Sequence, residues 1–142
     1  MRLASARSKV LDSWALMAWI NGEQPGAGKV QALLDGAETK QIDLSMNMIN
    51  AGEVYYLLAK QKGQDYAKSF WEDFQTAPIR IVDAPNSLIL EAAQWKSRYP
   101  ISYADAFALA TALREHATLV TGDPDFKVLA KSGIVELDWI DR

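Results

Sequence analysis

The chain has 142 residues, 49% of them apolar, which is enough for one domain with its own core. The absence of cysteine excludes disulfides and cysteine zinc sites and fits a reducing compartment. A net charge of −3 and a pI of about 5.1 argue against a broad basic surface for gripping nucleic acid. No apolar run approaches the ~20 residues that span a bilayer, and residues 1–9 lead into no signal-like apolar segment. We therefore expect a cytoplasmic protein with no membrane partner.

Short β-rich runs alternate with longer helical patterns along the chain. In chain order, the patterns predict strand 9–12, helices 13–19 and 25–36, strand 42–46, helices 50–62 and 65–76, strand 79–82, helices 85–98 and 102–115, strand 118–121, helix 125–131 and strand 134–137. Pro25 suits the first turn of its helix, while Gly36 and Gly63 are predicted helix stops. This alternation predicts a single domain over residues 1–142. We expect three layers, α/β/α, around a mostly parallel five-stranded sheet.

Four acidic residues stand at breaks in the hydrophobic pattern. Asp12 and Asp123 lie at or just after the ends of predicted strands, and Glu53 and Asp105 are predicted in the first turns of helices. Functional sites of parallel sheets form beyond the carboxyl ends of the strands, so the four side chains are expected at one edge. Converging carboxylates repel one another and need a cation. The pattern therefore indicates metal-dependent chemistry on a phosphate.

Each of these acids also has a purely local explanation. Asp12 suits the N-cap of the following helix, and Asp105 forms a capping-box pattern with Ser102. Asp123 lies in a Gly-Asp-Pro-Asp sequence, which is strong turn chemistry, and Glu53 could be an ordinary solvated acid. The hypothesis of a shared site depends on all four lying together.

The order of these motifs resembles the PIN domain, and specifically the VapC-type ribonuclease toxins of toxin–antitoxin pairs. The resemblance covers residues 9–137. It is carried by Val10-Leu11-Asp12-Ser13, by Glu53, by Ser102-Tyr103-Ala104-Asp105-Ala106 and by the run from Leu119 through Thr121-Gly122-Asp123-Pro124-Asp125-Phe126. Residues 1–8 extend a little beyond the typical start of the family and are assigned no role.

The resemblance implies a function and a site. The family's acidic quartet falls on Asp12, Glu53, Asp105 and Asp123, which become the expected catalytic and metal-binding residues. Ser13 and Thr121 match polar positions beside that quartet, and Asp125 matches a secondary acid. The implied activity is RNA cleavage with Mg²⁺ or Mn²⁺, by a homodimer that a cognate antitoxin silences.

Roles can be divided provisionally within this site. Asp12 and Asp105 are the first choices for direct metal contact, with Asp123 on the same or a second ion. Glu53 is expected either to bind the ion through a water molecule or to orient the attacking water. Mg²⁺ and Mn²⁺ prefer carboxylate and water oxygens, which suits this set of acids. RNA also needs cations along its backbone, and the candidates are Lys60, Lys62, Arg98, Arg114 and Lys127.

Two other classes of protein remain open at this point. A phospho-acceptor receiver domain is also a small parallel α/β protein, but it needs an acidic pair after the first strand, and here Ser13 follows Asp12. A catalytically weak PIN-like module that only binds a protein partner would have the same fold. Metal-dependent RNA cleavage separates both from a nuclease.

Overall fold

Thirteen short elements make up the part of the chain that the structure describes. The structure, a computed structural model, describes residues 5–141, with side chains from residue 7 onward; residues 1–4, part of the segment with no assigned role, lie outside it. The strands are β1 (Ser5–Leu11), β2 (Asp43–Asn47), β3 (Arg80–Val82), β4 (Ala117–Thr121) and β5 (Leu137–Trp139). The helices are α1 (Ser13–Ile20), α2 (Gly26–Glu38), α3 (Met48–Lys62), α4 (Gln64–Thr76), α5 (Asn86–Arg98), α6 (Tyr103–Arg114) and α7 (Lys127–Ala130), with a 3₁₀ turn at Pro124–Phe126.

The five strands form one parallel sheet in the order β3-β2-β1-β4-β5. The central strand, β1, pairs with β2 on one side and with β4 on the other. Strand order therefore reverses between β1 and β4, and the carboxyl ends of these two strands lie side by side. The predicted three-layer α/β/α fold with a parallel five-stranded sheet is confirmed.

Each face of the sheet is covered by its own apolar cluster. Successive side chains of a strand point to opposite faces, so Leu11 joins one cluster and Val10 the other. Helices α1 to α4 cover the first face, and helices α5 to α7 cover the second. Burial on both faces explains why neighbouring residues of β4, such as Leu119 and Val120, are both apolar. Among the described residues, no helix is long and apolar enough to cross a bilayer.

Three local predictions were wrong. Helix α2 continues through Gly36 to Glu38, because Gly36 serves packing instead: a Cβ there would lie 2.7 Å from Cγ1 of Ile42. Strand β5 lies later than the predicted 134–137, since its position is set by pairing with β4 and not by apolar residues alone. Glu53 lies in the second turn of α3, because that helix begins earlier, at Met48.

Candidate active site

The site begins where β1 and β4 end. Asp12 follows β1 and is only 2% exposed, while Thr121 is the last residue of β4 and fully buried. The Thr121 hydroxyl donates a hydrogen bond to Oδ2 of Asp12, and its oxygen accepts one from the backbone N–H of Asp123 at 3.0 Å. One threonine therefore couples the first acid of the quartet to the last.

Local capping holds two of the carboxylates in place. Oδ1 of Asp12 accepts from the backbone N–H of Ala15 at 2.8 Å, which makes Asp12 the N-cap of α1. Asp105 and Ser102 form a full capping box at the start of α6. The capping roles anticipated as alternatives are thus real. They do not compete with a shared site, because a cap fixes the orientation of a carboxylate and each of its oxygens still has lone pairs to offer.

Three acids bring their carboxylates together. One carboxylate oxygen from each of Asp105, Asp123 and Asp125 lies within 4.8 Å of the other two. Oδ1 of Asp123 also accepts from the backbone N–H of Asp125 at 2.9 Å, which closes the turn after β4. Asp125, expected only as a secondary acid, is therefore a full member of this cluster. Asp12 lies outside the group of three but is near enough to interact electrostatically with Asp105 and Asp123.

The electrostatics of the site disfavour negative charge. Burial is the main cause that raises the pKa of Asp12 to about 8, although its bonds with Thr121 and Ala15 act in the opposite direction. Burial, followed by the charge of Asp123, raises the pKa of Asp105 to about 6. The pKa of Asp123 is also raised, mainly by burial. Such acids gain from a nearby cation, because positive charge favours their ionised form.

Glu53 lines the same cleft as the cluster. The cleft has a volume of about 440 Å³, and its lining includes Glu53, Asp105, Asp123 and Asp125. Asp12 lies beneath this surface rather than in its lining. No lysine or arginine lines the cleft in the described part of the chain. A phosphate there would therefore meet several carboxylates and no basic side chain to offset their charge, unless a cation accompanied it.

One buried polar residue of the site was missed in the sequence. Asn50 of α3 is 1% exposed, and its Nδ2 donates to the backbone oxygen of Ala104 at 2.9 Å. Its own backbone oxygen accepts from the Ser13 hydroxyl at 3.1 Å. Asn50 thus ties α3 to the starts of α1 and α6. The available signal was an asparagine three residues before Glu53, on a helical face that also carries apolar residues.

The cations predicted to contact RNA all lie outside the cleft lining. They are Lys60, Lys62, Arg98, Arg114 and Lys127. Arg114 donates to Glu91 at 2.6 Å, and the guanidinium of Arg98 lies 5.4 Å from the ring of Trp95. Lys62 lies over the ring of Tyr66. The side chain of Lys127, one residue after the 3₁₀ turn that carries Asp125, makes no hydrogen bond or ion pair within residues 5–141.

A parallel sheet with carboxylates gathered at the strand-order reversal defines an α/β protein whose candidate site lies beyond the carboxyl ends of its strands. The PIN domain family model matches residues 9–132, and the chain belongs to this family. No curated protein matches the sequence.

Solved structures with the same fold come from several bacteria. The VapBC2 structure from Rickettsia felis, bound to a promoter DNA fragment, contains a chain that is 18% identical, with a TM-score of 0.69 and coverage of 94% of this chain and 99% of that one. VapC20 from Mycobacterium tuberculosis, a toxin that cleaves the sarcin–ricin loop, is 19% identical, with a TM-score of 0.69 and coverage of 91% and 98%. FitAcB from Neisseria gonorrhoeae gives 19% identity, a TM-score of 0.65 and coverage of 91% and 95%.

Proposed function

We propose that this protein is a Mg²⁺- or Mn²⁺-dependent endoribonuclease and the toxin of a toxin–antitoxin pair. The observation that carries this proposal is the cluster of Asp105, Asp123 and Asp125, whose carboxylate oxygens lie within 4.8 Å of one another in an open cleft without basic residues. Membership of the PIN domain family and similarity to toxin structures support the choice of RNA as substrate.

The residues present fit a hard divalent cation. Carboxylates are its preferred protein ligands, and the raised pKa values of Asp12 and Asp105 indicate a site where added positive charge is favourable. Asp105, Asp123 and Asp125 would hold it, with Asp12 beneath as a further ligand. A bound Mg²⁺ or Mn²⁺ supplies Lewis-acid stabilisation of charge on the phosphate and a lower pKa for a bound water.

The chain's own residues then position the reaction. Thr121 holds Asp12 and the backbone of Asp123, so the two acids keep a fixed relation. Glu53, which lines the same cleft, orients the attacking water and accepts its proton. The water oxygen forms a bond to phosphorus as the bond to the leaving ribose oxygen breaks. Solvent water supplies the proton that the leaving oxygen takes up, and Glu53 returns its own proton to solvent.

Cleavage of RNA in the presence and absence of divalent metal tests the proposal. We expect the purified protein to cut RNA with Mg²⁺ or Mn²⁺ and to lose this activity in EDTA. Asp105→Asn removes one charge from the cluster and should abolish cleavage, whereas Asp73→Asn, an exposed acid on α4, makes the same net change in charge and should leave it intact. Cleavage that persists in EDTA, or full activity of Asp105→Asn, would contradict the assignment.

A separate groove supports the binding of a protein partner. It has a volume of about 690 Å³, and its apolar lining includes Leu16, Ile20 and Phe70 from α1 and α4. Asp35 and Asp73 are among the acids in the same lining. An antitoxin segment that places apolar side chains in the groove and basic ones beside these acids would suit it, and solved relatives include toxin–antitoxin complexes.

Paired charge substitutions test this groove. Ile20→Glu places a charge in the lining and should weaken binding of the cognate antitoxin, while leaving RNA cleavage unchanged. Leu90→Glu is the control, because Leu90 is 64% exposed on α5, which covers the opposite face of the sheet. Equal antitoxin affinity of the two variants, measured by titration calorimetry, would exclude the groove as the partner surface.

The proposal also includes a homodimer. Met48 and Ile49, at the start of α3, are each 40% exposed, and Tyr56 of the same helix is 51% exposed. Neighbouring exposed apolar side chains are typical of an interface. Ile49→Lys should shift the protein toward monomer in analytical ultracentrifugation, and an unchanged mass distribution would exclude this face.

A further inference from the structure

The cleft extends beyond the acids onto an apolar wall. Trp14 and Met17 of α1 and Leu57 of α3 line it together with the carboxylates, and each of the three is partly buried. None of them contributes to metal binding or to proton transfer. The proposed metal site and its chemistry therefore give no role to the apolar side chains that line the same cleft.

Trp14 is fixed in place by the turn that carries Asp123. A Cβ built on Gly122 would lie 2.1 Å from Cζ3 of Trp14 and 2.6 Å from two further atoms of the same ring. The six-membered ring of the indole therefore packs directly on the backbone of Gly122, one residue before Asp123. In addition, the indole N–H of Trp14 donates to no described residue, whereas that of Trp19 donates to Gln31 at 2.9 Å.

The acidic part and the apolar part of the cleft suit two different chemical groups of one ligand. The acidic part suits a phosphate only together with a cation, and the apolar part suits a flat, uncharged group. A nucleotide carries a flat base and a phosphate close together, because the two are joined through one ribose. Bases of single-stranded RNA commonly stack on aromatic side chains.

We propose that Trp14, Met17 and Leu57 form a stacking subsite for the base of the nucleotide next to the scissile phosphate. This inference rests on the proposed ribonuclease function and extends it to the specificity of the same site. The side-chain amides of Asn21 and Gln61 line the same cleft. Each offers both a donor and an acceptor, so these two residues are placed to read the edge of the stacked base.

Initial rates of Mn²⁺-dependent cleavage test the subsite with two substrates of equal length, an oligoadenylate and an abasic ribose–phosphate oligomer. Trp14→Leu removes the aromatic face but keeps an apolar side chain. We expect it to lower kcat/KM on the oligoadenylate about 5- to 150-fold, the range of a lost base–aromatic stack, chiefly through KM. On the abasic oligomer it should match the wild type.

Two matched variants and one binding measurement separate stacking from a structural effect. Trp14→Phe keeps an aromatic face and should retain most of the activity on the oligoadenylate. Trp19→Leu makes the same substitution on the same helix but in the other groove, and its rates on both oligomers in the absence of antitoxin should equal those of the wild type. The Mn²⁺ affinity of Trp14→Leu should also equal that of the wild type, because Trp14 is not a ligand.

The outcomes distinguish the subsite from the function on which it rests. Equal losses of Trp14→Leu on both oligomers, or a weakened Mn²⁺ affinity, would mean that Trp14 only shapes the metal site and would overturn the subsite. No loss on the oligoadenylate would overturn it as well, with the ribonuclease function intact. A wild-type protein that cuts no RNA with Mn²⁺ would overturn both.

Discussion

Asp12→Asn should make the metal-free protein more stable at neutral pH while abolishing its activity. Asp12 is 2% exposed, and burial raises its pKa from 3.8 to about 8. In the unfolded chain the group ionises near pH 4, whereas in the folded protein it keeps its proton to about pH 8. Between these values the folded state binds more protons, so stability falls as pH rises through this window and is highest below it.

The magnitude follows from the two pKa values. Each pH unit in that window costs about 1.4 kcal/mol, so ionisation of Asp12 in the unfolded state lowers stability by on the order of 4 kcal/mol between pH 4 and pH 7. Asparagine never ionises and escapes this loss. Its amide keeps an acceptor for Ala15 but places an N–H₂ group near Thr121, at a cost of about 1 kcal/mol. The net gain near pH 7 is about 3 kcal/mol, or roughly 6–12 °C in Tm.

Thermal unfolding in EDTA, followed by circular dichroism at a series of pH values, measures this effect. The wild type should lose stability from pH 4 to pH 8, and Asp12→Asn should show a shallower decline, retaining only the contributions of Asp105 and Asp123. Asp73→Asn is the control, because the same substitution at this exposed position should leave the wild-type profile unchanged. An Asp12→Asn protein less stable than the wild type at pH 7, or one with the wild-type slope, would refute the reasoning.

Further substitutions test the parts of the site separately. Gly122→Ala should lower the free energy of unfolding in urea by about 1–3 kcal/mol and reduce RNA cleavage, because the new Cβ meets the ring of Trp14. In Gly52→Ala the new Cβ meets nothing within 4 Å, so the free energy of unfolding should instead rise by about 0.5–1 kcal/mol. Equal effects of the two substitutions would contradict the packing argument. Thr121→Val removes the donor to Asp12 and should weaken Mn²⁺ binding in calorimetry, and an unchanged affinity would show that this hydroxyl does not organise the site. Mn²⁺ binding at pH 7 should release protons, seen as an enthalpy that depends on the buffer, because Asp12 must give up its proton to bind.

Patterns that depend on neighbours in the sequence were readable from the chain alone. The strand at Val10 and Leu11, the capping box of Ser102 and Asp105, and the turn at Asp123 are all local, so the residues themselves carry the signal. The helix stop expected at Gly36 failed for the opposite reason. In the sequence, a glycine that ends a helix looks the same as a glycine that makes room for the side chain of Ile42. Only the packing around Gly36 distinguishes these two roles.

The sequence by itself determined the elements, the parallel sheet and the edge at which Asp12 and Asp123 emerge, because strand periodicity and crossover direction are properties of the local chain. Tertiary structure alone decided which side chains meet. It placed Asp125 in the carboxylate cluster, left Asp12 beneath the cleft and laid the Trp14 ring on Gly122. Contacts between residues more than a hundred positions apart, such as Trp14 and Gly122, depend on how the packed elements are oriented. The hydrophobic periodicity of the sequence carries no information about that orientation.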